Sequence, residues 1–104
     1  MTDAQIKRYL SNYKRLNNRK KELEKLCKDE PRSRAQTEES IKRISFTLED
    51  IAKKIFTVDN GFYREILIKK YIEGETLEEL GESIGYSTRH IQRLVNQAVN
   101  EIRM

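Results

Sequence analysis

The sequence predicts an all-α protein, in which an N-terminal helical hairpin is followed by three shorter helices. Three observations support this fold class. Charged and apolar residues each make up 37% of the 104 residues, and there are only one proline and four glycines. Apolar residues recur at intervals of three and four, which is the spacing of one face of a helix. No segment shows the strict alternation of apolar and polar residues that is typical of a strand.

The first helix is predicted over residues 3–28, with its start near Thr2 or Asp3. It has a coiled-coil-like seam, a set of positions that repeat at alternating intervals of three and four. The members of this seam are Ile6, Tyr9, Tyr13, Leu16, Lys20, Leu23 and Cys27. A polar stretch follows, and Pro31 is expected to stop the helix because proline has no backbone N–H to donate.

A second helix is predicted over residues 37–56. It carries its own seam, whose members are Ile41, Ile44, Leu48, Ile51 and Ile55. Two such helices joined by a short polar loop most simply form an antiparallel hairpin, and we assign residues 1–57 to it as a dimerisation segment. Phe46 and Phe56 lie off the seam, so we expect them to be buried elsewhere.

Residues 58–104 are predicted to form a second, trihelical domain. Its first helix is expected over residues 62–72, after a short connection at residues 58–61. The apolar face of that helix is formed by Tyr63, Ile66, Leu67, Lys70 and Tyr71. A unit of this size is near the lower limit for independent stability, so we expect it to lean on the hairpin.

Local signals place the next two helices. Thr76 and Glu79 have the spacing of a capping box, which predicts a helix start near Leu77. Gly81 is expected where two crossing helices approach most closely, and Gly85 is expected to end the helix in a left-handed conformation. Ser87 is a suitable N-cap for a last helix that starts near Thr88.

The last helix is predicted to be amphipathic. Its apolar stripe consists of Ile91, Leu94, Val95, Ala98, Val99 and Ile102. The opposite face carries Arg89, Arg93, Asn96 and Asn100, with Gln92 and Gln97 at its edges. No carboxylate occurs between Ser87 and Asn100. Arginine recognises guanine edges, and asparagine and glutamine recognise adenine edges, so this face has the chemistry of base readout.

The spacing from Thr76 to Arg103 is that of a helix-turn-helix, in which the second helix lies in the major groove of DNA. An ordinary helical hairpin with a solvated polar face is the alternative. The predicted DNA-binding residues are Ser87, Thr88, Arg89, His90, Gln92, Arg93, Asn96 and Gln97. His90 lies at the edge of the face, where a contact with phosphate or solvent is expected.

The segment from Tyr63 to Arg103 resembles region 4 of the sigma-70 family, the module that binds the promoter −35 element. The resemblance rests on the residues at 63–67, 76–81 and 85–87 and on the amphipathic last helix. The whole chain is similar to phage and prophage transcription regulators of the ArpU and RinA types and to a related uncharacterised phage family. This resemblance implies a C-terminal DNA-binding domain and a possible contact with RNA polymerase.

The chain also departs from the sigma pattern. Sigma region 4 often has an acidic residue early in the recognition helix, where this chain has Arg89. Specificity for the −35 element is therefore not carried over. We expect no region that melts DNA within these 104 residues.

The net charge of +4 is unevenly distributed. Residues 1–28 contain nine lysines and arginines but only three acidic residues, whereas residues 61–104 contain six basic and seven acidic residues. The predicted reading module should therefore attract phosphates weakly by itself. Either the basic first helix supplies phosphate contacts, or its charges only solvate it and two copies bind DNA together.

Several classes of protein find no support in the sequence. It has no glycine-rich phosphate loop, no nucleophile paired with histidine and no metal-ligand cluster, so we expect no enzymatic activity, no metal and no cofactor. Cys27 is the only cysteine, which excludes an internal disulfide. No signal peptide or membrane span is expected. We therefore expect a cytoplasmic protein of a bacterial host, associated with the nucleoid when it is bound to DNA.

The leading interpretation is a sequence-specific transcription regulator that binds double-stranded DNA as a homodimer. A phage DNA-packaging component similar to the small terminase subunit is the first alternative, although the DNA-binding unit of such proteins is usually N-terminal. The second alternative is a protein-interaction adaptor that contacts RNA polymerase. A ring of eight or more copies would favour packaging, and a salt-sensitive mobility shift would exclude the adaptor.

Overall fold

The computed structural model describes residues 2–29, 32 and 34–102 of the chain. Within these residues there are five α-helices and one π-helical segment, and there is no strand. The α-helices are α1 (Asp3–Asp29), α2 (Arg34–Phe56), α3 (Gly61–Leu67), α4 (Leu77–Ile84) and α5 (Thr88–Asn100), and the π segment (Ile68–Ile72) continues α3. The predicted all-α class is confirmed.

The predicted helix boundaries agree closely with the observed ones. Helix α1 begins as predicted and ends one residue later, whereas α2 begins three residues earlier than residue 37. Helices α4 and α5 begin at Leu77 and Thr88, as their capping residues predict. The expected helix stop at Pro31 lies outside the described residues, as does Arg103.

Helices α1 and α2 lie side by side and run in opposite directions. Near the start of α1, the Tyr9 hydroxyl donates a hydrogen bond of 2.5 Å to Asp50, in the second half of α2. Asp50 also accepts a hydrogen bond of 2.8 Å from Lys54, one turn further along α2. Further along α1, residues 13–20 face residues 45–52 of α2. The start of α1 therefore lies beside the end of α2.

The buried apolar residues form one core that both halves of the chain share. It contains Ile6, Leu10, Ile51, Ile55, Val58, Ile66, Leu67, Tyr71, Leu80, Ile91, Leu94, Val95, Ala98, Val99 and Ile102. Leu10 is fully buried, although it lies off the predicted seam of α1. The reason is that the first half of α1 packs against two partners, α2 on one side and the π segment and α5 on the other.

The expectation that the two off-seam phenylalanines, Phe46 and Phe56, are buried is wrong. Phe46 is 74% exposed and Phe56 is 58% exposed. Phe46 projects away from α1, on the side of α2 opposite to the seam. Phe56 contacts the guanidinium of Arg64, whose carbon lies 5.8 Å from the ring centroid. Instead, the C-terminal helices pack against the first two helices through aliphatic residues such as Leu10 and Ile55.

The second correction concerns the helix predicted over residues 62–72. Its last five residues form a π turn, closed by a hydrogen bond of 2.9 Å from the Glu73 N–H to the Ile68 carbonyl. In a π turn the backbone bond spans one residue more than in an α-helix. Residues four and five positions apart then share a face, so Tyr71 is buried beside both Ile66 and Leu67. Burial raises the pKa of the Tyr71 phenol to about 12.

Candidate nucleic-acid interface

The candidate site is built on a tight turn between α4 and α5. Helix α4 ends at Gly85, whose φ of 90° is in the left-handed region that favours glycine. The N–H groups of Gly85 and Tyr86 both donate to the Gly81 carbonyl, at 2.8 and 2.9 Å. The Ser87 hydroxyl then caps α5 by accepting a hydrogen bond of 3.2 Å from the His90 N–H. Three residues thus separate the two helices.

Gly81 allows this turn to close. A Cβ atom at this position would lie 2.5 Å from the Tyr86 carbonyl oxygen and 3.6 Å from its carbonyl carbon. The close approach predicted for Gly81 is therefore present, but its partner is the backbone of the turn rather than the second helix itself. Any side chain would push the turn, and with it the start of α5, away from α4.

Helix α5 buries one face and exposes the other. Ile91, Val95, Ala98 and Val99 are at most 1% exposed, which fixes the rotation of the helix about its axis. The opposite face points to solvent. Among the described residues, Arg89 and Arg93 are exposed and have no carboxylate within 4 Å. These two guanidinium groups keep all their donors available to a ligand.

The other predicted residues in the first turns of α5 are arranged differently from the arginines. Thr88 is exposed. The Ser87 hydroxyl accepts the capping hydrogen bond and is thereby held at the helix end. His90 is half-buried, and its ring meets the Tyr86 ring edge to face at 4.6 Å between centroids. His90 therefore supports the turn as well as lining the edge of the face.

The second half of the face is exposed, but its side chains form hydrogen bonds with neighbouring elements. Asn96 accepts hydrogen bonds from Gln92, at 3.1 Å, and from the Lys7 ammonium. Gln97 accepts one from the Tyr63 hydroxyl at 3.0 Å. The Asn100 amide nitrogen, when turned towards α1, donates to the Asp3 carboxylate at 2.9 Å. Three of the predicted residues, Gln92, Asn96 and Gln97, are thus engaged within the chain.

Sequence reasoning missed Lys7 and Tyr63 as neighbours of this face. Lys7 is separated from Asn96 by 89 positions in the chain, and Tyr63 from Gln97 by 34. No local pattern signals such a contact. The general excess of basic residues in the first 28 positions was the only indication that α1 could lie near the site.

The described residues contain no group of three or more histidine, cysteine, aspartate or glutamate side chains that could hold a metal ion. None of the described helices is both long and apolar enough to cross a membrane.

Comparison with protein-family models, with curated proteins and with solved structures finds no match to this chain.

Proposed function

We propose that this protein is a sequence-specific transcription regulator that binds double-stranded DNA with α5 in the major groove. One observation carries the proposal: the exposed face of α5 has two unpaired arginines and no acidic residue, and it follows a three-residue turn after α4. This arrangement supports a helix-turn-helix, in which the first residues of the second helix contact base edges. The resemblance to sigma region 4 supports the same interpretation.

Within this proposal the arginines are the best candidates for base readout. A guanidinium can donate two hydrogen bonds to O6 and N7 of guanine without losing any bond inside the protein. Asn96 is less free. A bidentate contact with adenine needs its carbonyl oxygen as well as its amide nitrogen, and that oxygen already accepts from Gln92 and Lys7. Asn96 would have to give up one of these bonds to bind adenine in this way.

The test starts from a preferred DNA site obtained by oligonucleotide selection. Arg89→Ala or Arg93→Ala should weaken binding to this site by about 1–3 kcal/mol and relax the base preference at one position. Arg43→Ala is the matched control, because Arg43 is exposed on α2 and pairs only with Glu39 in the described structure. It should leave affinity unchanged.

Two outcomes would contradict the proposal in different ways. Equal losses on preferred and random DNA would mean that the arginines touch only phosphates. No binding to any duplex, at any salt concentration, would remove the DNA-binding function and favour the protein-interaction adaptor, with RNA polymerase as the first partner to test.

We also propose a homodimer, because the nearly neutral unit formed by residues 61–104 gains affinity when two copies bind two half-sites. The exposed Phe46 is a suitable contact for a second copy, since 74% of this large apolar residue is accessible on the outer side of α2. Sedimentation equilibrium measures the state directly. A dimer supports the regulator, and a ring of eight or more copies supports the packaging alternative.

A further inference from the structure

Lysines recur along one side of α1 at intervals of seven residues. Seven residues complete nearly two turns of an α-helix, so side chains at this spacing stay within about 20° of each other per repeat. We call these lysines, together with the adjacent Lys25, the lysine row. It consists of Lys7, Lys14, Lys21, Lys25 and Lys28.

The lysine row begins at the candidate interface. Lys7 donates to Asn96 on the exposed face of α5. Lys14, two turns further along α1, packs over Gly74, and its side chain lines a cleft together with Lys70. Beyond this point α1 continues past the C-terminal helices, and Lys21, Lys25 and Lys28 are exposed. The row therefore leads away from α5: its first two members lie beside the C-terminal half of the chain, and its last three are exposed.

The lysines in the middle of the row form no ion pairs within the described part of the chain. Among the described residues, no carboxylate lies within 4 Å of Lys14, Lys21 or Lys25. The two glutamates of α1 pair elsewhere: Glu22 with Arg19 at 3.3 Å and Glu24 with Lys20 at 3.9 Å. Lysines three and four positions apart on a helix repel each other. Glu24 is three positions from Lys21 and Glu22 is three positions from Lys25, yet neither glutamate lies within 4 Å of these lysines, so both ammonium groups stay available to a ligand.

We infer that the lysine row binds the phosphate backbone of the DNA duplex, next to the base pairs that α5 reads. This inference rests on the proposed function. It adds a second contact between the protein and the DNA, besides that of α5. From Lys7 to Lys28 the row extends about 32 Å at 1.5 Å per residue. One turn of B-DNA is about 34–36 Å, so the row matches roughly one turn of duplex beyond the reading site. It supplies the positive charge that residues 61–104 lack.

The test compares two triple variants that remove the same charge from the same helix. The row variant carries Lys21→Gln, Lys25→Gln and Lys28→Gln. The control variant carries Arg8→Gln, Arg15→Gln and Arg19→Gln, three exposed arginines that lie more than a quarter turn from the mean direction of the row. Far-UV circular dichroism checks that both variants remain folded.

Affinity for a long duplex centred on the preferred site is measured between 50 and 200 mM salt. Affinity falls as salt rises, and each phosphate contact contributes about 0.9 to the steepness of log affinity against log salt. Three lost contacts should therefore make this dependence shallower by about 2.7. Over this fourfold salt range the wild type should then lose about 40-fold more affinity than the row variant. The control variant should keep most of the wild-type slope.

Duplex length gives a second readout. On a duplex trimmed to the base pairs that α5 reads, the row variant and the wild type should bind equally. Adding about ten base pairs on one side, roughly one helical turn, should restore the difference. The row variant should also keep the base preference of the wild type, because the row touches no base edges.

Other results would overturn the inference. If the row and control variants lose the same slope, the effect is one of net charge and not of the row. If the row variant binds like the wild type while Arg93→Ala still relaxes base preference, the row is not a contact but the proposed function stands. If the wild-type protein binds no duplex, both the inference about the lysine row and the proposed function are wrong. Tighter binding of the row to single-stranded RNA or to vesicles containing phosphatidylserine than to duplex DNA also overturns it.

Discussion

At the scale of single residues, Gly81 has the most specific requirement in the chain. Helix propensity alone favours alanine over glycine inside a helix by about 1 kcal/mol. Contact geometry opposes this, since a Cβ atom would lie 2.5 Å from the Tyr86 carbonyl oxygen. That oxygen belongs to the backbone and cannot rotate away as a flexible side chain would. We therefore expect the steric effect to dominate.

The prediction compares Gly81→Ala with Gly61→Ala. The first substitution should lower the free energy of unfolding by about 1–3 kcal/mol, as overpacking does. The second places a methyl group where no atom lies within 4 Å, at the start of α3, and should leave stability unchanged or raise it by up to about 1 kcal/mol. Urea denaturation measures both. Equal effects would show that the turn yields easily and that the position does not require glycine.

At the scale of elements, a polar cluster joins α1 to α2. It consists of Tyr9, Asp50 and Lys54, and the Lys54 ammonium also lies 5.6 Å from the centroid of the Tyr9 ring. The hydrogen bond from Lys54, followed by the one from Tyr9, lowers the pKa of the Asp50 carboxyl below its usual 3.8. Burial, with a smaller effect of Asp50, raises the pKa of Tyr9 to about 12.

These shifts set the pH dependence of the α1–α2 contact. A lowered carboxyl pKa adds stability above the unfolded pKa, and this is lost as the pH falls through the folded value. Tyr9→Phe should therefore cost about 0.5–1.5 kcal/mol at pH 7, and less as the pH falls through the lowered pKa of Asp50. Because the phenol pKa of Tyr9 is raised, its contribution is complete below pH 10 and declines between about pH 10 and 12.

Tyr13→Phe is the control for this prediction. Tyr13 lies one turn along the same side of α1, is half-buried, and its hydroxyl has no hydrogen-bond partner among the described residues. It loses the same oxygen atom without losing a contact to α2. Urea denaturation at a series of pH values from 7 downwards should separate the two variants at pH 7, and the difference should shrink as Asp50 becomes protonated. If the two variants behave alike at every pH, the cluster does not stabilise the helix pair.

At the scale of the whole molecule, the shared core predicts that the two halves depend on each other. Division of the chain into residues 1–57 and 58–104 places Leu10, Ile51 and Ile55 on one side and most of their core partners on the other. A fragment of residues 58–104 would expose the apolar surface that those three side chains cover. A unit of this size buries only a small apolar core, so the loss of these contacts should destabilise it strongly.

We expect the fragment of residues 58–104 to lack a cooperative thermal transition, whereas the full chain should show one. Circular dichroism melting curves and the dispersion of amide resonances measure this. A fragment that melts at the temperature of the full chain would show two independent domains. The contacts of α1 with the π segment and α5 would then contribute little to stability.

The local sequence determined where most of the helices begin and end. Thr76 with Glu79, Ser87 and Gly85 each act through hydrogen bonds or backbone angles within three or four residues, so their effects can be read without knowing the fold. The buried stripe of α5 is likewise a property of spacing alone. The same spacing places Arg89 and Arg93 on the opposite, exposed face.

Only the tertiary structure decided which side chains meet across the chain. The burial of Leu10 and the hydrogen bond from Lys7 to Asn96 depend on how α1 lies against the C-terminal helices, and the exposure of Phe46 and the π turn at Ile68–Ile72 were likewise not indicated by the local pattern. The physical reason is range: a helix start depends on its neighbours along the chain. A side chain's burial and its hydrogen-bond partners depend on surfaces that folding brings together from distant positions.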